Sequence, residues 1–168
     1  MFITRTGKNK GQGIFVDFFL GAMIFFVVWS LVSVNFWNSL ENIKTTSKMQ
    51  EMEAIAKITL EQLLSSKGSP ANWEDKNFNE TQKIGLINNS GYVEEKKLVA
   101  FSNASINYEE LKKKLEINGF DFFFEFYGED DINAGLEPIG ESIKVTEKKQ
   151  VPYKGGEGIA KLTIYSFK

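Results

Sequence analysis

Residues 14–37 read IFVDFFLGAMIFFVVWSLVSVNFW, and this stretch organises the rest of the chain. Within residues 14–34 the only charged side chain is Asp17. A helix needs about 20 consecutive apolar residues to cross the hydrocarbon core of a bilayer. Helices of soluble proteins are seldom apolar on every side over such a length. The stretch therefore predicts a membrane-spanning helix near the N-terminus.

Basic residues precede this span and set its expected orientation. Arg5, Lys8 and Lys10 lie before it, and no acidic residue accompanies them. Because Lys and Arg are enriched on the cytoplasmic side of membrane helices, we expect a cytoplasmic N-terminus and an extracellular domain of residues 38–168. Trp37 falls where an aromatic belt would meet the outer interface. The sequence thus predicts a single-pass membrane protein.

The composition limits the chemistry of the chain. Its formal net charge is −2, and no basic face indicates a nucleic-acid partner. The absence of Cys excludes disulfides and thiolate chemistry, and the absence of His removes the usual general base and the commonest transition-metal ligand. We therefore expect neither an enzyme nor a bound cofactor.

An acidic turn at residues 128–135 offers oxygen ligands of the kind that Ca²⁺ prefers. Asp131, Asn133 and Gly135 match the beginning of an EF-type loop. The bidentate glutamate that such a loop needs at its end would fall on Ser142. A solvated turn between two strands is the better interpretation, so we predict no metal site.

Residues 38–66 continue from the span as an amphipathic helix. Apolar side chains recur there at spacings near three and four, and charged side chains occupy much of the remaining surface. Gly68 and Pro70 follow the last periodic residues and predict where the helix stops.

Three segments in the second half of the chain have strand character. Residues 120–127, FDFFFEFY, alternate with period two, so the Phe residues at the even-numbered positions should face the core. Residues 142–151 and 159–167 are the other candidates, joined by a glycine-rich turn at 154–158.

Shorter elements are expected between the long helix and these strands. They are a strand at residues 84–87 and two helices at residues 93–101 and 108–115. An antiparallel sheet needs one covering layer, which residues 38–66 can supply. We therefore predict an α+β fold in which a long N-terminal helix, half transmembrane and half amphipathic, packs on an antiparallel sheet.

Three Asn-X-Ser/Thr sequences lie in the predicted extracellular domain. They begin at Asn79, Asn88 and Asn103. This pattern is the acceptor signal for N-glycosylation. We treat the three asparagines as possible glycosylation sites.

A recognisable pattern begins at the junction between the basic segment and the span. Lys10, Gly11 and Gln12 are followed by Asp17 within the start of the apolar helix. This order resembles the class III (prepilin-type) signal sequence in its archaeal form, and the chain resembles archaeal type IV pilin-like proteins. Asp17 is the sixth residue from Gln12, whereas bacterial pilins usually carry a glutamate at the fifth.

The resemblance implies processing and a division of the chain. A prepilin-type signal peptidase would remove a leader, residues 1–11, by cutting between Gly11 and Gln12, with the bond after Gly13 as an alternative. Residues 12–37 would remain as the transmembrane helix, and residues 38–168 would form the exported domain. An uncleaved signal anchor would carry similar basic residues.

Later motifs extend the resemblance to archaeal membrane-anchored pilin-like proteins of unassigned role. They are Gly68, Pro70, Asn72 and Trp73, then Ile84 to Leu86, Lys97-Leu98, the Tyr108 helix and the aromatic strand from Phe120. The implied function is that of a pilin-like surface subunit, major or minor, which assembles with like or related subunits through its apolar helix. The alternative is a non-assembling membrane-anchored domain that binds a partner or an envelope component.

Asp17 has a different role under each of these hypotheses. In a simple anchor it would lie near the helix start, where the membrane interface and the helix dipole tolerate an anion. In a pilin-like assembly the resemblance implies that it pairs with the new amino group of Gln12, on its own chain or on a neighbouring one.

Overall fold

The computed structural model describes the backbone of residues 10–167 and the side chains of residues 16–167. The chain divides into an N-terminal unit, Met1–Thr46, and a C-terminal unit, Ser47–Lys168. Its elements in order are α1 (Lys10–Ser65), α2 (Glu95–Ala104), α3 (Tyr108–Lys114), β1 (Asp121–Tyr127), β2 (Ile132–Gly135), β3 (Ser142–Tyr153) and β4 (Gly156–Phe167), with short 3₁₀ turns at Trp73–Asp75, Phe78–Glu80 and Ser105–Asn107.

In the N-terminal unit, α1 passes through the apolar stretch without interruption. Proline would remove a backbone hydrogen bond from such a helix, and none occurs in α1. After Gly21 the helix also contains no glycine until it ends at Ser65. The predicted leader, residues 1–11, lies almost entirely outside the described residues.

In the C-terminal unit, one face of α1 is buried against the sheet. Met52, Ala56 and Leu63 are fully buried, whereas Ile58 on the opposite side is 66% exposed. The carboxylate of Glu61 accepts a hydrogen bond of 2.8 Å from the ammonium of Lys149 on β3. The predicted helix is confirmed, with its end at Ser65, but its buried face extends only from Met52 to Leu64, and Ile43 is 64% exposed.

The sheet contains four antiparallel strands in the order β2-β1-β4-β3. In the central pair, Phe122 lies opposite Ile164 and Phe124 lies opposite Leu162, and all four side chains are fully buried. The alternation in β1 thus places its even-numbered Phe side chains in the core, as predicted. The α+β class is confirmed, and α1 supplies a layer over the inner face.

Helix α2 covers the same inner face of the sheet. The ring of Phe101 packs at 5.3 Å from the ring of Phe124 and at 6.4 Å from that of Phe122. The hydroxyl of Ser102 donates a 2.6 Å hydrogen bond to the carbonyl oxygen of Asn133 on β2. Aromatic packing and this bond fix α2 beside the sheet edge.

The outer face of the sheet is partly covered by the connector 136–141, which links β2 to β3. These two strands lie at opposite edges, so the connector has to cross the sheet. The Tyr165 hydroxyl donates a 2.9 Å hydrogen bond to the carbonyl oxygen of Leu136. As a result Tyr165 is only 1% exposed although it lies on the outer face.

Two short elements differ from the sequence-based prediction. The prediction of a turn over residues 128–135 is wrong in its second half, where Ile132–Gly135 form strand β2. Four residues without apolar alternation give no strand signal in the sequence. The predicted strand at 84–87 is wrong: Ile84 and Leu86 are buried in an irregular segment. The Leu86 amide bonds the carbonyl oxygen of Leu63 at the end of α1, so this backbone is engaged by a helix terminus rather than by a strand.

The turn between β3 and β4 is tighter than predicted. Only Lys154 and Gly155 form it, with φ values of 47° and 82°, and Tyr153 pairs with Gly156. Positive φ at both central residues is typical of a two-residue type I′ hairpin. The remaining glycine-rich residues therefore continue β4 instead of extending the turn.

Candidate functional site

The clearest candidate functional surface is the apolar segment of α1, residues 16–37. Its large apolar side chains are between 53% and 72% exposed, and they point in every direction around the helix. By length and composition this helix is able to cross a membrane. The rings of Phe25 and Trp29, one helical turn apart, stack with their centroids 6.1 Å apart.

A polar side chain within this surface is satisfied by its own helix. The side-chain amide of Asn35 donates a 2.8 Å hydrogen bond to the carbonyl oxygen of Leu31. Bonding back to the carbonyl four residues earlier is a common way for a polar residue to occupy an apolar helix. Asn35 therefore adds little polarity to the segment.

Small residues interrupt the bulky surface. An added Cβ at Gly21 would meet nothing within 4 Å, so the backbone there is open to a close neighbour. Ala22 and Ser30 lie in a shallow groove with aromatic walls, whose lining is Phe18, Phe19, Ala22, Met23, Phe26, Val27, Ser30 and Leu31. Close approach at small residues is the usual basis of helix association in membranes.

Asp17 is exposed on this helix, one turn before Gly21 and on the same side. Among the side chains of residues 16–167, no ion pair joins its carboxylate to a cationic group. Gly11 and Gln12 lie before the described side chains, so their part of the predicted site is outside them. The structure thus brings the predicted acid next to a small residue.

The three Asn-X-Ser/Thr sequences lie in the C-terminal unit, and their asparagines differ in solvent exposure and in hydrogen bonding. Asn79 and Asn103 are exposed. Asn88 is partly buried, and its side-chain oxygen accepts hydrogen bonds from the amides of Ser90 and Tyr92 at 2.8 and 3.1 Å. Thr81 of the first sequon is 1% exposed.

The acidic turn after β1 interacts with a lysine of the β3–β4 hairpin. The Lys154 ammonium lies 2.9 Å from Glu95, 3.2 Å from Asp130 and 3.5 Å from Glu129. The hydrogen bond to Glu95 is the main cause of a raised Lys154 pKa. Among the described residues, no group of three or more His, Cys, Asp or Glu is placed to hold a metal ion.

Across the central strands of the outer face, Glu125 pairs with Lys161 and also accepts a hydrogen bond from the Tyr127 hydroxyl. Burial alone would raise the pKa of Glu125, but the bonds from Lys161 and Tyr127 outweigh it. The net result is a Glu125 pKa below its ordinary value.

Sequence reasoning missed Lys97 as a buried group. Its side chain is 2% exposed, and its ammonium donates to the carbonyl oxygens of Lys67, Ala71 and Ile87 at 2.8, 2.8 and 3.0 Å. These carbonyls belong to the irregular segment after α1. Residues 94–97 are all charged, and the sequence does not distinguish the inward-pointing Lys97 from the exposed Lys96. The one signal is that Lys97 lies next to the buried Leu98.

No family model, curated protein or solved structure matches this chain.

Proposed function

We propose that this chain is a pilin-like surface subunit, anchored in a membrane by residues 12–37, which assembles with like or related subunits through that helix. The observation that supports this most directly is the exposure of residues 16–37 on every side. Apolar surface of that extent needs lipid or other apolar helices around it.

The placement of Asp17 beside Gly21 supports assembly rather than simple anchoring. A carboxylate between lipid-embedded helices interacts strongly with a nearby amine because the surrounding dielectric constant is low. A cleaved chain would supply such an amine at Gln12. An amine–carboxylate contact would also fix the axial register of neighbouring helices, which apolar packing alone leaves free to slide.

The first test is the mass of the native N-terminus. Protein extracted from membranes of its own host should begin at Gln12, because the prepilin-type peptidase would cut after Gly11. A chain that retains Met1 would contradict processing and favour the uncleaved anchor. A chain that begins at Ile14 would move the cut by two residues and leave the proposal otherwise intact.

The second test is Asp17→Ala, compared by crosslinking in native membranes with the parent chain and with Asp17→Glu. One polar contact between helices in lipid contributes about 0.6–2 kcal/mol, which corresponds to a roughly 3- to 30-fold change in association. Asp17→Ala should therefore lose oligomer by that factor, and Asp17→Glu should retain most of it. Equal oligomer yields in all three chains would overturn the assembly role of Asp17.

A non-assembling anchor gives a different outcome in the same experiment. In that case the parent chain itself forms no oligomers at native expression levels, and Asp17→Ala changes nothing. The exported domain would then act through a partner or an envelope component.

A further inference from the structure

Strand β3 lies at one edge of the sheet, and every second residue points its backbone groups away from the sheet. Residues of an antiparallel pair alternate between bonding the neighbouring strand and pointing away from it. Because Tyr153 closes the hairpin with Gly156, the odd-numbered residues of β3 bond β4 and the even-numbered residues point to the free edge. The Val93 amide agrees with this alternation, since it donates a 3.0 Å hydrogen bond to the carbonyl oxygen of Pro152.

The remainder of this edge is open within the described part of the chain. The outward amides and carbonyl oxygens belong to Lys144, Thr146, Lys148 and Gln150, and none of them bonds another backbone group of residues 10–167. All four side chains are exposed. Pairing with β4 runs without a bulge over all 12 residues of β3, about twice the usual length of a strand. Such an edge is a template for a further strand.

The opposite edge of the sheet is closed by side chains. On β2 the outward backbone groups belong to Asn133 and Gly135. The Ser102 hydroxyl donates to the carbonyl oxygen of Asn133 at 2.6 Å, and the Gly135 amide donates to the Ser105 hydroxyl at 2.8 Å. Helix α2 and the 3₁₀ turn after it therefore block strand addition at β2, whereas no described residue does so along residues 144–150.

The charges of the β3 edge oppose pairing with a second copy of the chain. Lys144 and Lys148 lie on the outer face, and neither forms an ion pair among the side chains of residues 16–167. If two copies paired antiparallel with Thr146 opposite Thr146, Lys144 of each copy would lie directly opposite Lys148 of the other. Like charges in that position are destabilising, and lysines on edge strands commonly prevent such self-pairing.

This protection depends on the sign of the charge on the incoming strand. Residues 144–150 contain no proline and no bulge, which would exclude any added strand. A strand with carboxylates on its outer face would be attracted by the same two lysines. On the inner face, Ile143 and Val145 are partly buried against the core and would pack against apolar side chains of that strand. The edge therefore matches an extended segment in which acidic and apolar residues alternate.

We propose that β3 binds an extended acidic segment of a partner protein by strand addition along residues 144–150. The carboxylates of that segment lie beside Lys144 and Lys148, and its apolar side chains lie beside Ile143 and Val145. The inference concerns the C-terminal unit alone, so it depends neither on membrane anchorage nor on assembly through the apolar helix.

The alternation along β3 provides a direct test by amide exchange. The isotopically labelled full-length chain, in a nonionic detergent, is mixed with acetyl-VEVEVEV-amide, and exchange is followed by NMR. With the peptide at about 1 mM, the amides of Thr146 and Lys148 should exchange at least about 10-fold more slowly, because they gain hydrogen-bond partners. The amides of Val145 and Glu147 already bond β4 and should change little.

Charge reversal tests whether the two lysines select the partner. Acetyl-VKVKVKV-amide should not protect the parent chain. The double variant Lys144→Glu and Lys148→Glu should lose protection by the acidic peptide and gain it from the basic one. The matched control is Lys57→Glu and Lys113→Glu, which changes the net charge equally at exposed positions outside β3 and should behave like the parent.

A second pair of variants tests backbone bonding. Thr146→Pro removes an N–H that faces the free edge and none that bonds β4, so the sheet should persist while the acidic peptide no longer protects Lys148. Thr146→Val is the control, because it also loses the hydroxyl that lies 2.9 Å from that of Thr163 but keeps the N–H. Protection in Thr146→Val should match that in the parent.

Three results would overturn the proposal. The first is unchanged exchange at Thr146 and Lys148 in the parent chain with the acidic peptide present. The second is equal protection by the acidic and the basic peptide. The third is protection that exists without peptide and disappears on dilution, which would mean that a second copy of the chain fills this edge.

Discussion

At the scale of single residues, the buried lysine Lys97 holds an irregular segment of the chain in place. Its ammonium satisfies three carbonyl oxygens of a segment that has little regular structure of its own. Buried carbonyls that lose their donors cost about 1–3 kcal/mol each. The Lys97 ammonium therefore holds the irregular segment 67–87 together by binding carbonyl oxygens near both of its ends.

We predict that Lys97→Met lowers the free energy of unfolding by at least about 2 kcal/mol, because the methionine cannot donate to these carbonyls. The adjacent Lys96→Met is the matched control. Lys96 has a side chain that is 71% exposed and one exposed ion pair with Asp75, so its loss should cost no more than about 1 kcal/mol. Urea unfolding of the full chain in detergent measures both, and equal losses would contradict the role of Lys97.

Glu125 gives a prediction about pH. Its pKa is lowered from an ordinary value of 4.5 by its bonds to Lys161 and Tyr127, against the opposing effect of burial. A carboxyl whose pKa is lower in the folded state stabilises the fold above its ordinary pKa. That stabilisation is lost as the pH falls through the lower folded value.

We therefore expect Glu125→Gln to reduce stability at pH 7 by roughly 1 kcal/mol, consistent with a partly buried ion pair. The difference from the parent chain should shrink below pH 4.5, as the carboxyl becomes protonated in the parent. Thermal unfolding at a series of pH values checks this, and a difference that stays constant down to pH 2 would exclude the ion pair as its source.

At the scale of elements, the packing of one face of α1 against the sheet can be tested by substitutions on its two sides. Leu63 is fully buried in the core, whereas Ile58 on the same helix is 66% exposed. A buried leucine truncated to alanine costs about 2–5 kcal/mol, and an unpaired charge at the same place costs more.

Leu63→Asp should accordingly unfold the C-terminal unit or destabilise it by more than about 4 kcal/mol. Ile58→Asp introduces the same charge on the exposed side and should change stability by about 0.5 kcal/mol or less. Circular dichroism and thermal unfolding distinguish the two variants. Similar melting curves would mean that this face of α1 does not cover the sheet.

The elements differ in how much of them the sequence predicts. Period-two alternation of aromatic residues identifies β1, and period-three-to-four spacing identifies the packed part of α1, because each signal extends over many residues. Strand β2 gives no such signal. Its four residues become a strand because β1 offers them a free edge, with Phe126 opposite Ile132 and Phe123 opposite Gly135.

At the scale of the whole molecule, the apolar segment and the position of Asp17 within it could be predicted, since both depend on local composition. The three-carbonyl contact of Lys97 could not be predicted. It depends on Lys67, Ala71 and Ile87, which are far from Lys97 in the sequence and which only the fold brings to its ammonium.

Topology is the prediction that belongs to this scale. With a cytoplasmic N-terminus, Lys96→Cys should react in intact cells with a maleimide that cannot cross membranes, because its position is exposed in the C-terminal unit. Leu98→Cys is buried and should react only after unfolding. Labelling of Lys96→Cys that appears only after cell lysis would reverse the proposed orientation.

The sheet order has a consequence for how the domain is made. The last strand in the sequence, β4, lies between β1 and β3 at the centre of the sheet. Until the ribosome has released residues 156–167, β1 has no central partner, and pairing it with β4 then requires a long-range contact that forms slowly. A nascent chain therefore cannot complete its four-stranded sheet before residues 156–167 have left the ribosome. Whatever compartment receives the domain, its central strand pair forms only after synthesis is nearly finished.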